Sequence, residues 1–181
     1  MSNDLIALQK EIDEITSLRS EAASMEKAQE VFKDTIFLLD FSGSMDGYLE
    51  NKPKIDHLKN ALKKLRIDPK NCVSFKSFVQ DGIMSETGGS TRLHAAFDHI
   101  KGRKFNKIMV ISDGQPDSPE MALQKAKELG KPVNILFIGK DGEYGEEFMK
   151  ELARTTKGNT LSISENIQEL LSQKITYLLT N

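Results

Sequence analysis

The sequence predicts a doubly wound α/β protein, a mostly parallel central sheet with one antiparallel edge strand, preceded by an amphipathic helix. Three observations predict it. Short apolar runs, each long enough for one strand, alternate with amphipathic stretches of helical length. Two of those runs, Ile36–Leu39 and Ile108–Ile111, end in an aspartate within a polar loop, as strands buried on both faces do where they open to solvent. Asp81-Gly82 adds a short-range hairpin signal.

The elements follow in order. Residues 4–30 read as one amphipathic helix, and residues 1–33 are set apart from a domain spanning 34–181 by many charges and the absence of Gly and Pro. Leu5, Leu8, Ile12 and Ile15 form two heptads of an a/d seam. Such a seam packs on its own domain, pairs with a copy of itself or docks a different protein, and the sequence leaves all three open. Thr35–Asp40 is the first strand. Pro53–Arg66 is a helix with Ile55, Leu58, Leu62 and Leu65 on one face. Cys72–Val79 is a strand, turned at Asp81-Gly82 into a return strand near Ile83–Ser85. Thr91–Lys101 is helical, and Lys107–Ser112 repeats the first strand's pattern. Ser118-Pro119-Glu120 opens a helix that stops at Gly130. Val133–Ile138 is a strand, Glu143–Thr156 a helix, Asn159–Ile163 a short strand and Glu165–Leu179 a closing helix.

Composition bounds the function. The chain has 181 residues, 38% hydrophobic and 29% charged, enough for one substantial domain. A net charge of −2 gives no push toward nucleic acid or acidic membrane. Basic clusters at Lys59, Lys63 and Arg66 and at Lys101, Arg103, Lys104 and Lys107 lie near helix C-termini, where cations complement the dipole. Cys72 is the one cysteine, so no internal disulfide or cysteine metal site forms, and buried packing is its expected role. With no apolar leader and no membrane-length segment, a cytoplasmic protein is the expectation.

Ligands of open α/β sheets bind beyond the C-terminal strand ends. Three polar loops fall there: Asp40-Phe41-Ser42-Gly43-Ser44, Thr87-Gly88-Gly89-Ser90-Thr91, and Ser112-Asp113-Gly114-Gln115-Pro116-Asp117. Together they bring two carboxylates and three hydroxyls toward one rim, a hard-oxygen set suited to a divalent cation. With about two negative charges in the set, a bound cation stays partly uncompensated and attracts an outside anion.

These residues resemble the von Willebrand factor A (VWA) domain family and its metal-ion-dependent adhesion site (MIDAS). Asp40, Ser42 and Ser44 stand as D-x-S-x-S, Thr91 follows in a Gly-rich loop, and Asp113 lies in a later S-D-G. The resemblance covers about residues 34–180. It implies a Rossmann-like VWA fold and a Mg²⁺ (or Mn²⁺) ion held by Asp40, Ser42, Ser44, Thr91 and Asp113. In the family the hydroxyls contact the metal and the aspartates often act through water. It further implies a non-enzymatic adaptor whose metal is completed by an Asp or Glu of a partner protein. An AAA+ ATPase, a kinase–phosphatase set or a stress-response operon is the company such proteins often keep. The alternative is an assembly module driven by the N-terminal helix, with an incidental metal.

Other chemistries fit worse. An EF-hand needs Gly where Met45 stands and Glu where Asn51 stands. Neither serine lies in G-x-S-x-G, and phosphate-binding glycine loops are absent. His57 and His99 are expected to be exposed, with His94 one turn from Thr91 the histidine nearest the site. Asp46 and Asp117 read as solvated loop residues near the rim.

Overall fold

Strand β1 (Thr35–Asp40) is buried along its whole length and lies at the centre of the sheet. Its side chains divide by parity, as a pleated strand requires: Phe37 and Leu39 enter one core layer, Ile36 and Leu38 the other. The same division runs through β6 (Lys107–Ser112), where Met109 and Ile111 face one layer and Ile108 and Val110 its opposite. Strands covered on both sides have no polar face, which is why their sequences carry no alternation. The computed structural model describes residues 23, 25–140 and 142–180.

Strands β4 (Cys72–Phe75), β5 (Val79–Asp81), β7 (Val133–Ile138) and β8 (Thr160–Ile163) complete a six-stranded sheet in the order β5-β4-β1-β6-β7-β8. All its pairs are parallel except β4–β5 at the edge. The order reverses at β1, so the crevice between the C-terminal ends of β1 and β6 is the topological switch point. A two-stranded ribbon, β2 (Tyr48–Leu49) with β3 (Lys52–Pro53), follows β1. The sequence gives it no alternation to read; Glu50 makes its turn with φ 59°.

Helices α2 (Lys54–Lys64) and α6 (Ile167–Thr180) cover one face, with the end of α1 (residues 25–33) beside them. Helices α3 (Leu93–Ile100), α4 (Pro119–Leu129) and α5 (Glu146–Thr156) cover the other. The described end of α1 packs on this domain. Ala28 and Phe32 are buried, Phe32 meets Phe37 edge-to-face at 6.0 Å, and Gln29 donates to the Leu65 carbonyl. The Leu5, Leu8, Ile12 and Ile15 seam lies outside the described residues. Among the described residues, no helix is long and apolar enough to cross a membrane.

Two expectations are corrected. The hairpin turns at Lys76–Phe78, where the Lys76 amide donates to the Phe78 carbonyl, and the return strand is Val79–Asp81 instead of Ile83–Ser85. Gly82 ends that strand: its φ of 86° and the capture of its carbonyl by Ser74 Oγ at 2.7 Å steer the chain away. A hairpin glycine and a strand-ending glycine need the same left-handed backbone, so the local signal served both. His57 is buried, its Nε2 3.0 Å from the Leu49 carbonyl, because the β2–β3 ribbon folds over α2. Cys72 is buried as expected, and burial pushes its thiol up to about 12.

Candidate metal centre

Asp40 ends β1 with its side chain wholly buried. Its Oδ1 accepts the Ser42 amide at 2.8 Å, and its Oδ2 accepts the Ser112 hydroxyl at 2.6 Å from the end of β6. Burial pushes its pKa up to about 6, against the opposing pull of the Ser112 and Ser42 bonds. A 3₁₀ turn at Gly43–Asp46 follows, anchored by Met45, which is fully buried. That turn brings the Ser42 and Ser44 hydroxyls to 3.1 Å of each other, and Ser44 Oγ donates to Asp113 Oδ1 at 2.7 Å.

The glycine-rich loop is stitched to this turn by its backbone. Gly88 donates to the Phe41 carbonyl at 2.9 Å, and Gly43 donates to the Gly89 carbonyl at 3.1 Å. Gly89 has φ 74°, and a Cβ there would lie 2.2 Å from Ser77 Oγ, so the approach requires glycine. Ser77 Oγ accepts the Ser90 amide at 3.0 Å and stands 3.5 Å from the Ser90 hydroxyl. Thr91 is buried, and its hydroxyl bonds no described residue. The Thr91 amide donates to Asp117 Oδ1 at 3.0 Å, and the Asp117 amide returns a bond to the Thr91 carbonyl.

The three loops therefore close a triangle. Asp40 and Ser44 tie the first to the third through Ser112 and Asp113, Gly43 and Phe41 tie it to the second, and Thr91–Asp117 joins the second to the third. Of the residues singled out in the sequence, Asp40, Ser42, Ser44 and Asp113 share one hydrogen-bonded cluster, and Thr91 joins them through its loop. Asp117 is an exposed loop residue, as expected, and in addition accepts the Thr91 amide and so holds that loop in place. Asp46 accepts the Thr87 hydroxyl. His94 is buried with its Nδ1 unpartnered among the described residues.

Lys54 and Glu143 escaped the sequence reading. Lys54 Nζ lies 2.9 Å from Asp113 Oδ2 and 3.7 Å from Glu143 Oε2. No motif marks them, since their meeting depends on α2 and the loop after β7 converging on the switch point. The S-D-G pattern did contain the signal for Ser112.

The donors fit a small hard cation. An octahedral ion with bonds near 2.05 Å sets neighbouring oxygens about 2.9 Å apart, close to the Ser42–Ser44 separation of 3.1 Å. A serine donating its proton to Asp113, as Ser44 does, keeps oxygen lone pairs for a metal. Among the described residues, no group of three or more His, Cys, Asp or Glu side chains converges as a metal cluster.

No protein-family model matches the chain, and no curated protein matches it by sequence. Solved structures do match. A von Willebrand factor type A protein from Catenulispora acidiphila superimposes with a TM-score of 0.61 at 13% identity, over 80% of this chain and 41% of that one. The fold is that of a VWA domain. Manganese-loaded TRAP protein of Plasmodium vivax has a TM-score of 0.56 at 16% identity, over 81% of this chain and 71% of its own. Proximal thread matrix protein 1 of the mussel byssus, with zinc in its MIDAS motif, has a TM-score of 0.57 at 15% identity, over 80% and 45%. This VWA-fold chain thus spans less than half the length of two of these three structures.

Proposed function

We propose that the chain is a metal-dependent protein-interaction module. Asp40, Ser42, Ser44, Thr91 and Asp113 would hold a divalent cation, Mg²⁺ or Mn²⁺, at the switch point. The observation that carries this reading is the Ser42–Ser44 hydroxyl pair, 3.1 Å apart and bonded to Asp113. Hydroxyl oxygens are neutral, so Asp40 and Asp113 supply about two negative charges between them and leave a divalent ion with room for a further anionic ligand. When bound, the cation supplies a Lewis-acidic position that an Asp or Glu of a partner protein completes. Two VWA-fold structures with metal, one with manganese and one with zinc in a MIDAS motif, support a metal role for this fold. This reading assigns the site a binding role without catalysis.

Partner capture from the native proteome in Mg²⁺, in EDTA, and with Asp40→Ala and Ser42→Ala variants tests it. Capture lost in EDTA and in both variants is the expected result. Capture that is the same in all four arms would sink the metal-bridge mechanism. An AAA+ ATPase or a kinase–phosphatase system is the partner class we would look for first, in a cytoplasmic setting.

A further inference from the structure

We propose that Lys54 is a tethered cation that competes with the divalent ion and thereby sets how tightly the site holds metal; this rests on the metal-site reading above. Lysine is poorly placed here by every local rule. Lys54 is the first residue of α2, at the positive end of the helix dipole, where an acid is favoured. Its side chain is only 11% exposed, although lysines are almost never buried without a partner.

Its partners explain the position. The Lys54 amide donates to the Gly47 carbonyl at 2.9 Å, so the start of α2 is tied to the end of the serine turn across the β2–β3 ribbon. The ammonium then reaches Asp113, whose carboxylate is fully buried and whose other oxygen takes the Ser44 hydroxyl. A fixed positive charge touching a proposed metal-site carboxylate repels an arriving cation and lowers the negative charge available to it.

Glu143 supplies the second half of the device. It stands 3.7 Å from the same ammonium and is more exposed than Asp113. Its loop is held in place: Glu146 accepts the Gly142 amide at 2.8 Å and the Ser162 hydroxyl at 2.8 Å. Gly145 lies against Gly114 and Gln115, next to Asp113. Glu143 is therefore where the ammonium goes when an ion takes up the charge of Asp113. Lys54 has two carboxylates within reach, one belonging to the site and one outside it.

Mn²⁺ binding to the full chain, read by electron paramagnetic resonance of the free ion, tests the proposal. Lys54→Met is expected to bind Mn²⁺ about tenfold tighter or more. Glu143→Gln is expected to bind it more weakly, because the ammonium then has only Asp113. The double variant should match Lys54→Met, since Glu143 acts through the lysine. Circular dichroism checks folding, and Lys54→Gln is read in place of a Met variant that fails to fold. Unchanged or weaker Mn²⁺ binding in the lysine variant overturns the proposal. Asp40→Ala separates the two readings. Equal binding by that variant and by wild type removes the metal site itself, whereas loss in Asp40→Ala with no gain in the lysine variant removes only the competitor role.

Discussion

Thr91 and Asp117 hold each other twice: the Thr91 amide donates to Asp117 Oδ1 at 3.0 Å, and the Asp117 amide donates to the Thr91 carbonyl at 3.0 Å. The pair locks the glycine-rich loop to the loop after β6 and leaves the threonine hydroxyl with no bond to a described residue. Asp117 thus fixes the position of Thr91.

Asp117→Ala should weaken Mn²⁺ binding about tenfold, the size of effect seen when a group orienting a metal ligand is lost. Asp117→Asn keeps the acceptor oxygen and should restore most of the affinity. Titration of both variants against wild type checks this, and an alanine variant that binds normally would show that Thr91 needs no such support.

Asp40 makes a pH prediction with a definite sign. Its folded pKa of about 6 lies above the ordinary aspartate value of 3.8, so the fold holds this proton more tightly than the unfolded chain does. Its contribution to stability is therefore full below pH 4 and is lost as pH rises through 6, a change of about 3 kcal/mol. Asp40→Asn should remove that slope and be the more stable protein at pH 7 in EDTA, as urea melts across the pH range would record. A divalent cation favours the ionised carboxylate, so Mg²⁺ should stabilise wild type more at pH 7.5 than at pH 5.

Two glycines in the loop after β7 separate backbone strain from collision. Gly142 has φ 80° with open space around its Cβ position, so Gly142→Ala should cost about 1 kcal/mol. Gly145 has φ 101°, and a Cβ there would lie 2.3 Å from the Gln115 amide nitrogen, so Gly145→Ala should cost about 3 kcal/mol or more and displace the Asp113 loop. Equal melting temperatures for the two variants would contradict this.

Phe32 tests whether the end of α1 belongs to the core. It is buried against Phe37, and Phe32→Ala should lower stability by about 3 kcal/mol or more in urea unfolding. A loss under about 1 kcal/mol would mean that this helix end adds little to the domain.

Much of this molecule is local, and what is local was legible. Strands such as Ile36–Leu39 and Ile108–Ile111 announce burial on both faces because every residue is apolar, and the helices announce themselves by a single apolar face. Asp40, Ser42 and Ser44 lie at a strand end and in the turn that follows it, so their spacing alone placed them together. The β4–β5 turn was misplaced because a left-handed glycine can either turn a hairpin or end a strand, and Ser74 capturing Gly82 decides which. Nothing in the sequence near Lys54 or Glu143 points to Asp113, because these residues meet through the winding of the sheet around β1. The chain by itself determined an α/β sheet with a hydroxyl-rich loop at a strand end. Tertiary structure alone decided which charges surround that loop, since electrostatic partners depend on distance in space and strand order sets it.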